Sequence, residues 1–198
     1  IAQELNLKLQ VMPVDNHGVL KLKESLQLIN SNTALVALGH VSNALGNINP
    51  IEVIIAKAKE FGALTLIDGT QAVSHLAVDV QRLDCDFYVF SGHKMFGPTG
   101  IGVLYGKYAL LEQLPPYQLG GEMIQKVSFE HTTFQPPPLK FEAGTPNIAD
   151  VIAVKNAIDY VNELGKENIA AYEDELLAYA TEKLEEIEGL RIVGKAKE

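Results

Sequence analysis

Apolar runs alternate with amphipathic segments over most of the chain. The runs at 33–40, 63–69 and 86–92 are nearly continuous and rich in branched residues, which is typical of strands covered on both faces. The segments 22–29 and 51–62 carry apolar residues at helical spacing. This alternation predicts an α/β fold with three α/β/α layers, in which helices lie on both faces of a mostly parallel sheet.

Three further segments complete this predicted α/β pattern. Residues 9–15 (LQVMPVD) indicate a strand, and residues 78–84 indicate a short helix or turn. Residues 101–106 (IGVLYG) indicate another strand, which follows the run at 86–92 after little more than the turn GPT. Because a parallel crossover needs about a dozen residues or more, we expect this strand to pair antiparallel or to lie apart from the preceding one.

The pattern changes from about residue 113. Residues 113–147 are rich in Pro, Gly and Thr and predict a long loop, which in a compact domain is usually functional or interface-forming. Two helices are predicted at 148–164 and 167–187, and a short strand (LRIVG) at 190–194.

Composition and charge narrow the classes of partner. The 25 acidic and 16 basic residues give a formal charge of -9, so we expect no general attraction to nucleic acid or to anionic membranes. No apolar run approaches the length of about 20 residues that a membrane span needs. The single cysteine cannot close an internal disulfide, which fits a reducing compartment. We therefore expect a cytoplasmic protein.

Polar side chains follow three of the predicted strands, where each strand ends. They are Ser42 and Asn43 after the first, Asp68 and Gln71 after the second, and Ser91, His93 and Lys94 after the third. Each has an ordinary structural interpretation, because an Asp at a strand end often caps a turn and SNALG resembles a simple turn. If the strands are neighbours, however, these groups converge on one crevice at the carboxyl edge of the sheet, where α/β proteins bind ligands.

The set of groups favours pyridoxal phosphate over other ligands. The glycines of GPTG follow Lys94 instead of preceding it, so the segment is not a phosphate-binding P-loop, and the histidines lack zinc-ligand spacing. Lys94 in a largely desolvated pocket could form a Schiff base with the aldehyde, and Asp68 could keep the pyridine nitrogen protonated. Gln71 could bond the ring hydroxyl, and Ser91 with His93 could hold the phosphate.

Three segments resemble a known family. VSNALGNINPI, DGTQAVSHLAVDVQRLDCDFYVFSGHKMFGPTGIGVLYGK and FEAGTPN are similar to class V aminotransferase-like enzymes of pyridoxal phosphate fold type I. The resemblance is closest to group II cysteine desulfurases, also described as selenocysteine lyases, and runs from about residue 5 to residue 194. The SGHKxxGPxGxGxLYG stretch is the most specific part of it.

The resemblance implies a role for each candidate residue. Lys94 would bind the cofactor covalently and move the α-proton of the substrate, and Asn43 would lie near the ring oxygen and the substrate carboxylate. Asp68, Gln71, Ser91 and His93 would keep the cofactor contacts given above. Thr145 would reach the phosphate held by the other subunit of a homodimer. The implied reaction takes sulfur from L-cysteine, or selenium from L-selenocysteine, leaves L-alanine, and passes a persulfide to an acceptor protein for iron-sulfur cluster assembly.

Some family features do not match. The persulfide-forming cysteine and the carboxylate-binding arginine of the family fall beyond Glu198, Cys85 matches a position without a catalytic role, and Leu119 replaces a usual glycine. We therefore expect residues 1–150 to be the central part of the large domain, and residues 151–198 to be a connecting helix and the start of a small α+β domain. Such a chain would be an incomplete catalyst.

Two other functions remain open from the sequence. The first is another class V enzyme, either an aminotransferase or a kynureninase-like hydrolase, since these share the Asp and the Lys. The second is a scaffold that keeps the fold without turnover.

Overall fold

The computed structural model of the protein describes residues 2–194. The helices in this range are α1 (Leu22–Leu28), α2 (Ile51–Glu60), α3 (Val80–Leu83), α4 (Tyr108–Gln113), α5 (Ile148–Leu164) and α6 (Lys166–Glu185). The strands are β1 (Leu35–Gly39), β2 (Leu64–Asp68), β3 (Phe87–Ser91), β4 (Gly102–Gly106), β5 (Ile124–Val127) and β6 (Thr132–Phe134). Two short 3-10 turns lie at Gly92–Met95 and Leu139–Phe141.

The central sheet has four strands in the order β1-β2-β3-β4. Strands β1, β2 and β3 run parallel, and β4 runs antiparallel to β3. The predicted mixed α/β fold with a mostly parallel sheet is therefore confirmed. Of the two arrangements left open for the strand after the GPT turn, the structure has the antiparallel pairing. Gly39 lies opposite Asp68, and Asp68 lies opposite Val89, so the carboxyl ends of the three parallel strands meet at one level.

The core lies between one face of the sheet and the helices. Side chains of α2 and α5, such as Ile55 and Val161, pack with Ile67 of β2 and Tyr88 of β3 in one buried cluster. A second cluster joins α1 and α2 to Val36 of β1. These contacts follow from the helical spacing of apolar residues, which gives α2 one continuous apolar face.

The opposite face of the sheet is covered only in part among the described residues. At one end, Leu111 of α4 lies so close to Gly106 that a Cβ added to this glycine would be 2.8 Å from it. Elsewhere on this face Leu35 and Leu104 remain about half exposed, at 51% and 52%. Asp68 and Ser91 lie on this same face, because side chains alternate along a strand.

Two predicted strands are wrong. Residues 9–15 form only an isolated bridge between Val14 and Leu20, and residues 190–194 form no strand. The alternating apolar side chains of the first segment, such as Leu9 and Val11, are exposed. A strand needs hydrogen bonds to a neighbour, and within residues 2–194 neither segment lies beside a strand of the sheet.

The predicted loop contains a small sheet of its own. Strands β5 and β6 pair antiparallel within residues 113–147, and the turn between them is closed by the Ser128 and His131 backbones at 2.9 Å. The two helices predicted after the loop are confirmed as α5 and α6. Gly165, with φ +81°, ends the first of them, and this left-handed conformation favours glycine.

A membrane span is not found in the described part of the chain. Across residues 2–194, no helix combines the length and the apolar character that crossing a bilayer requires. The division of the chain near residue 150 stays a prediction.

Candidate active site

Asp68 ends strand β2 and is held through its backbone by both neighbouring strands. The N–H of His40 donates to the Asp68 carbonyl at 2.8 Å, and the N–H of Gly69 donates to the Val89 carbonyl at 2.8 Å. The carboxylate Oδ1 of Asp68 accepts the Thr70 N–H at 2.9 Å, so the turn-capping interpretation is also correct. The hydrogen bonds described in residues 2–194 leave Oδ2 of Asp68 for a ligand.

Asn43 and Gln71 come together across the ends of β1 and β2. The side-chain amide of Gln71 donates to Oδ1 of Asn43, although 28 positions separate them in sequence. Ser42 instead has a local role, because its Oγ accepts the Leu45 N–H at 3.2 Å. The predicted convergence therefore holds for the two amides, while Ser42 stabilises the turn that presents Asn43.

Ser91, His93 and Lys94 lie at the end of β3 and in the 3-10 turn after it. The Oγ of Ser91 is 2.7 Å from Nδ1 of His93. The backbone of Lys94 is fixed by Ser74, whose hydroxyl donates to the Lys94 carbonyl at 3.0 Å. Ser74 is buried in the turn that follows Asp68, so this bond joins the lysine segment to the aspartate segment.

The Lys94 side chain is exposed, as are Asp68 and His93. The expectation of a largely desolvated amine is therefore wrong for the described residues, because the carboxyl edge of the sheet faces solvent there. Within residues 2–194, no ion pair or hydrogen bond occupies the Nζ of Lys94. The amine thus lacks the carboxylate contacts that hold, for example, the half-buried Lys107 between Asp84 and Asp86.

The turn after Lys94 is tightly built. Met95 is buried in the core, and the Gly97 N–H donates to the Gly92 carbonyl at 2.9 Å. A Cβ added to Gly97 would lie 2.9 Å from that same carbonyl oxygen, so a larger residue would push the lysine segment away. Phe96 is left-handed at φ +59° and packs edge-on against Tyr160 of α5, with ring centroids 5.9 Å apart.

Thr145 stands apart from the other six candidate residues. It is exposed and follows Gly144, whose N–H donates to the Gly121 carbonyl at 3.0 Å. None of the hydrogen bonds described between residues 2 and 194 joins Thr145 to Asn43, Asp68, Gln71, Ser91, His93 or Lys94. Its predicted contact is to another subunit, and that contact stays a prediction.

The sequence interpretation missed three residues that support the site. Ser74 fixes the lysine backbone, Tyr88 bonds His40 behind the aspartate turn, and His75 joins the same turn to Glu173 of α6 at 2.8 Å. One signal was present for Ser74, since a serine inside the apolar run QAVSHLAV needs a buried partner. Tyr88 gave none, because FYVF is equally typical of a core strand.

The cavities found among the described residues are not lined by Asp68 or Lys94. A cavity of about 220 Å³ lies beside His40, between Glu52 and Arg82, and Asp68 and Lys94 do not line it. In residues 2–194, no three His, Cys, Asp or Glu side chains cluster as metal ligands would. Cys85 is buried, and burial raises the pKa of its thiol, as expected for a small core residue.

Comparison with known proteins assigns the family. The family model described as Aminotransferase class-V matches residues 1–198. The chain belongs to the class V aminotransferase family, and the resemblance drawn from its motifs is confirmed.

The particular relatives are cysteine desulfurases. A cysteine desulfurase of Synechococcus elongatus is 54% identical over 99% of this chain and 31% of its own length. A cysteine desulfurase of Serratia proteamaculans is 53% identical over 100% of this chain and 49% of its own length. The chain therefore spans about half the length, or less, of these two curated relatives.

Solved structures give the same assignment. A cysteine desulfurase of Escherichia coli matches with a TM-score of 0.91 and 38% identity, over 95% of this chain and 47% of that one. The apo cysteine desulfurase of Thermococcus onnurineus matches with a TM-score of 0.89 and 40% identity, over 93% and 46%.

Proposed function

We propose that this chain is part of a pyridoxal phosphate-dependent cysteine desulfurase. The enzyme removes sulfur from L-cysteine, or selenium from L-selenocysteine, and leaves L-alanine. The observation that carries the proposal is the similarity of the whole chain to cysteine desulfurases, at 53–54% sequence identity. An acid, two amides and a free amine at three adjacent strand ends support it.

The donor set fits the cofactor. Oδ2 of Asp68 accepts no described hydrogen bond, so it can accept one from a protonated pyridine nitrogen. The Gln71 and Asn43 amides are in contact with each other across the ends of β1 and β2, and their N–H groups suit the ring oxygen. The Ser91 hydroxyl and the His93 imidazole share one hydrogen bond, which leaves the remaining O–H or N–H of the pair to donate to a phosphate.

The cofactor, when bound, supplies an aldehyde that an amine can hold covalently and a ring that withdraws electrons from the substrate. In this chain Lys94 would supply that amine, and its Nζ would move the α-proton of the substrate. This role requires a fixed position of the Lys94 backbone, and the hydrogen bond from the Ser74 hydroxyl to the Lys94 carbonyl fixes it. Asp68 would hold the proton on the pyridine nitrogen through its Oδ2.

We further propose a homodimer, in which Thr145 contacts the phosphate bound by the other subunit. The sulfur leaves as an enzyme persulfide, and an acceptor protein takes it for iron-sulfur cluster assembly in the cytoplasm. Cys85 does not carry this persulfide. It is buried and its pKa is raised, so it offers neither access nor thiolate character.

The experiment uses the protein expressed from its own gene, with pyridoxal phosphate, L-cysteine and dithiothreitol. Sulfide and L-alanine should appear in equal amounts, Lys94→Ala should abolish both, and Cys85→Ala should leave the rate unchanged. L-Selenocysteine in place of L-cysteine measures the chalcogen preference. Transamination without sulfide, or no turnover at all, would overturn the proposal, and loss of activity in Cys85→Ala would overturn the part concerning the persulfide.

A further inference from the structure

Tyr88 and His40 form a bonded pair behind the turn that carries Asp68. Tyr88 is only 1% exposed, and its hydroxyl oxygen lies 2.9 Å from Nδ1 of His40. The two rings meet edge-on, with centroids 6.2 Å apart. The pair lies on the helix-covered face of the sheet, whereas the Asp68 side chain lies on the other face.

The turn after Asp68 rests directly on the Tyr88 ring. A Cβ added to Gly69 would lie 2.0–2.1 Å from Cε1, Cζ and Oη of Tyr88, which is a severe overlap. The φ of Gly69 is not in the left-handed region, so the position requires glycine for its lack of a side chain and not for its backbone angle. The position of the ring therefore sets the position of the peptide that follows Asp68.

The aspartate is consequently held on three sides. His40 donates its backbone N–H to the Asp68 carbonyl, and Val89 accepts the N–H of Gly69. The Tyr88 ring closes the third side. His40 thus supports the turn in two ways, directly through its backbone N–H and indirectly through its ring, which is hydrogen-bonded to Tyr88.

The electrostatics of the pair keep both groups neutral. Burial raises the pKa of Tyr88, and the nearby Cys85 and Asp68 raise it further. Burial lowers the pKa of His40. In the tautomer with its proton on Nε2, the neutral imidazole accepts the phenol O–H at Nδ1. A phenylalanine would keep the ring in the same core position, so Tyr88→Phe removes the hydrogen bond to His40 and, from the contact with Gly69, only Oη.

We propose that Tyr88 and His40 are positioning residues that aim the Asp68 carboxylate at the pyridine nitrogen of pyridoxal phosphate. This inference rests on the proposed function, because it assumes that Asp68 binds that nitrogen. The competing explanation is that Tyr88 is only a core residue. The two differ in one respect: a positioning residue acts through Asp68, and a core residue does not.

The test is a double-mutant cycle on the full-length protein expressed from its own gene. Tyr88→Phe and Asp68→Asn are made singly and together, and the dissociation constant for pyridoxal phosphate is measured by equilibrium dialysis. Tyr88→Phe should weaken binding about 3- to 10-fold, the size expected for one lost hydrogen bond. In the Asp68→Asn background the same change should have no further effect, because the carboxylate that it positions is already absent.

Tyr105→Phe is the matched control. Tyr105 lies opposite Tyr88 on β4, on the same face of the sheet, and it packs against the same core cluster. The Tyr105→Phe variant should have the same dissociation constant for pyridoxal phosphate as the unsubstituted protein. Gly69→Ala gives a second variant, which should weaken binding by more than Tyr88→Phe, because its added Cβ would overlap the Tyr88 ring.

The outcomes separate this inference from the proposed function. Equal weakening by Tyr88→Phe in both backgrounds, or no weakening in the presence of Asp68, would overturn the positioning role while leaving the desulfurase intact. An unsubstituted protein that binds the cofactor but releases no sulfide would overturn only the desulfurase activity. An unsubstituted protein that does not bind pyridoxal phosphate would overturn both.

Discussion

Replacing Asp86 by asparagine should destabilise the protein, because this carboxylate ties three strands together at the edge opposite the candidate site. Its Oδ2 accepts the N–H of Thr65 at 2.8 Å and the hydroxyl of Thr65 at 3.0 Å. Its Oδ1 accepts a hydrogen bond of 2.9 Å from the ammonium of Lys107, which lies just beyond β4. The Asp86 residue is only 8% exposed, so solvent screens these bonds weakly.

The magnitude follows from the bonds that an asparagine can keep. Its oxygen can remain on Thr65, but its NH₂ group then faces the Lys107 ammonium, and the bond to Lys107 is lost. One hydrogen bond to a charged group contributes about 1.5–3 kcal/mol. For a domain of this size, about 2–4 °C in melting temperature corresponds to 1 kcal/mol, so Asp86→Asn should lower the melting temperature by about 3–12 °C.

The pH dependence supplies an internal check. Burial raises the pKa of Asp86, but the hydrogen bonds from Lys107 and Thr65 outweigh it, so the folded-state pKa is lowered. The carboxylate therefore stabilises the fold above its unfolded pKa of about 3.9, and this contribution is lost as the pH falls through the lower folded pKa. The difference in melting temperature between Asp86→Asn and the unsubstituted protein should be largest near pH 7 and should shrink below about pH 4.

Differential scanning calorimetry at fixed protein and cofactor concentrations measures this difference, with Asp84→Asn as the control. Asp84 has a pKa of about 2, because Lys107 and Lys59 both bond to it, but its side chain is 57% exposed. Exposed ion pairs contribute little, so Asp84→Asn should cause the clearly smaller shift. Equal shifts in the two variants, or no shift in Asp86→Asn, would refute this reasoning.

The remaining predictions concern single contacts. Ser25→Ala should raise the melting temperature, because the buried Ser25 hydroxyl has no partner in the described structure and its desolvation costs about 1–3 kcal/mol; a lower melting temperature would contradict this. His75→Ala should change the melting temperature little but should speed hydrogen exchange in α6 near Glu173. Unchanged exchange would show that the contact between His75 and Glu173 does not stabilise α6. Thr145→Val should weaken cofactor binding in the dimer, whereas equal weakening in a demonstrated monomer would argue against a shared site.

The layout of the site could be predicted because strand ends are visible in sequence. The apolar runs at 33–40, 63–69 and 86–92 each stop at polar residues, and the structure confirms that the strands are neighbours. The short GPT turn likewise sufficed to exclude a parallel pairing of β4 with β3, which left an antiparallel or a non-adjacent strand. These features depend on local composition and on chain length, both of which can be read directly.

The errors arose where structure depends on a partner distant in sequence. Residues 9–15 alternate as a strand does, but alternation does not supply a neighbouring strand. The β5–β6 hairpin was missed because its strands have only 4 and 3 residues within a Pro-rich stretch. The support given by Tyr88 was also missed, since its contact with Gly69 exists only after β2 and β3 have paired.

The most direct measurement of the central claim identifies which lysine holds the cofactor. The protein is loaded with pyridoxal phosphate, reduced with borohydride, digested, and analysed by mass spectrometry. The account predicts that the pyridoxyl group is found on Lys94, and that Lys94→Ala binds the cofactor without being labelled. A pyridoxyl group on any other lysine of the protein would contradict it.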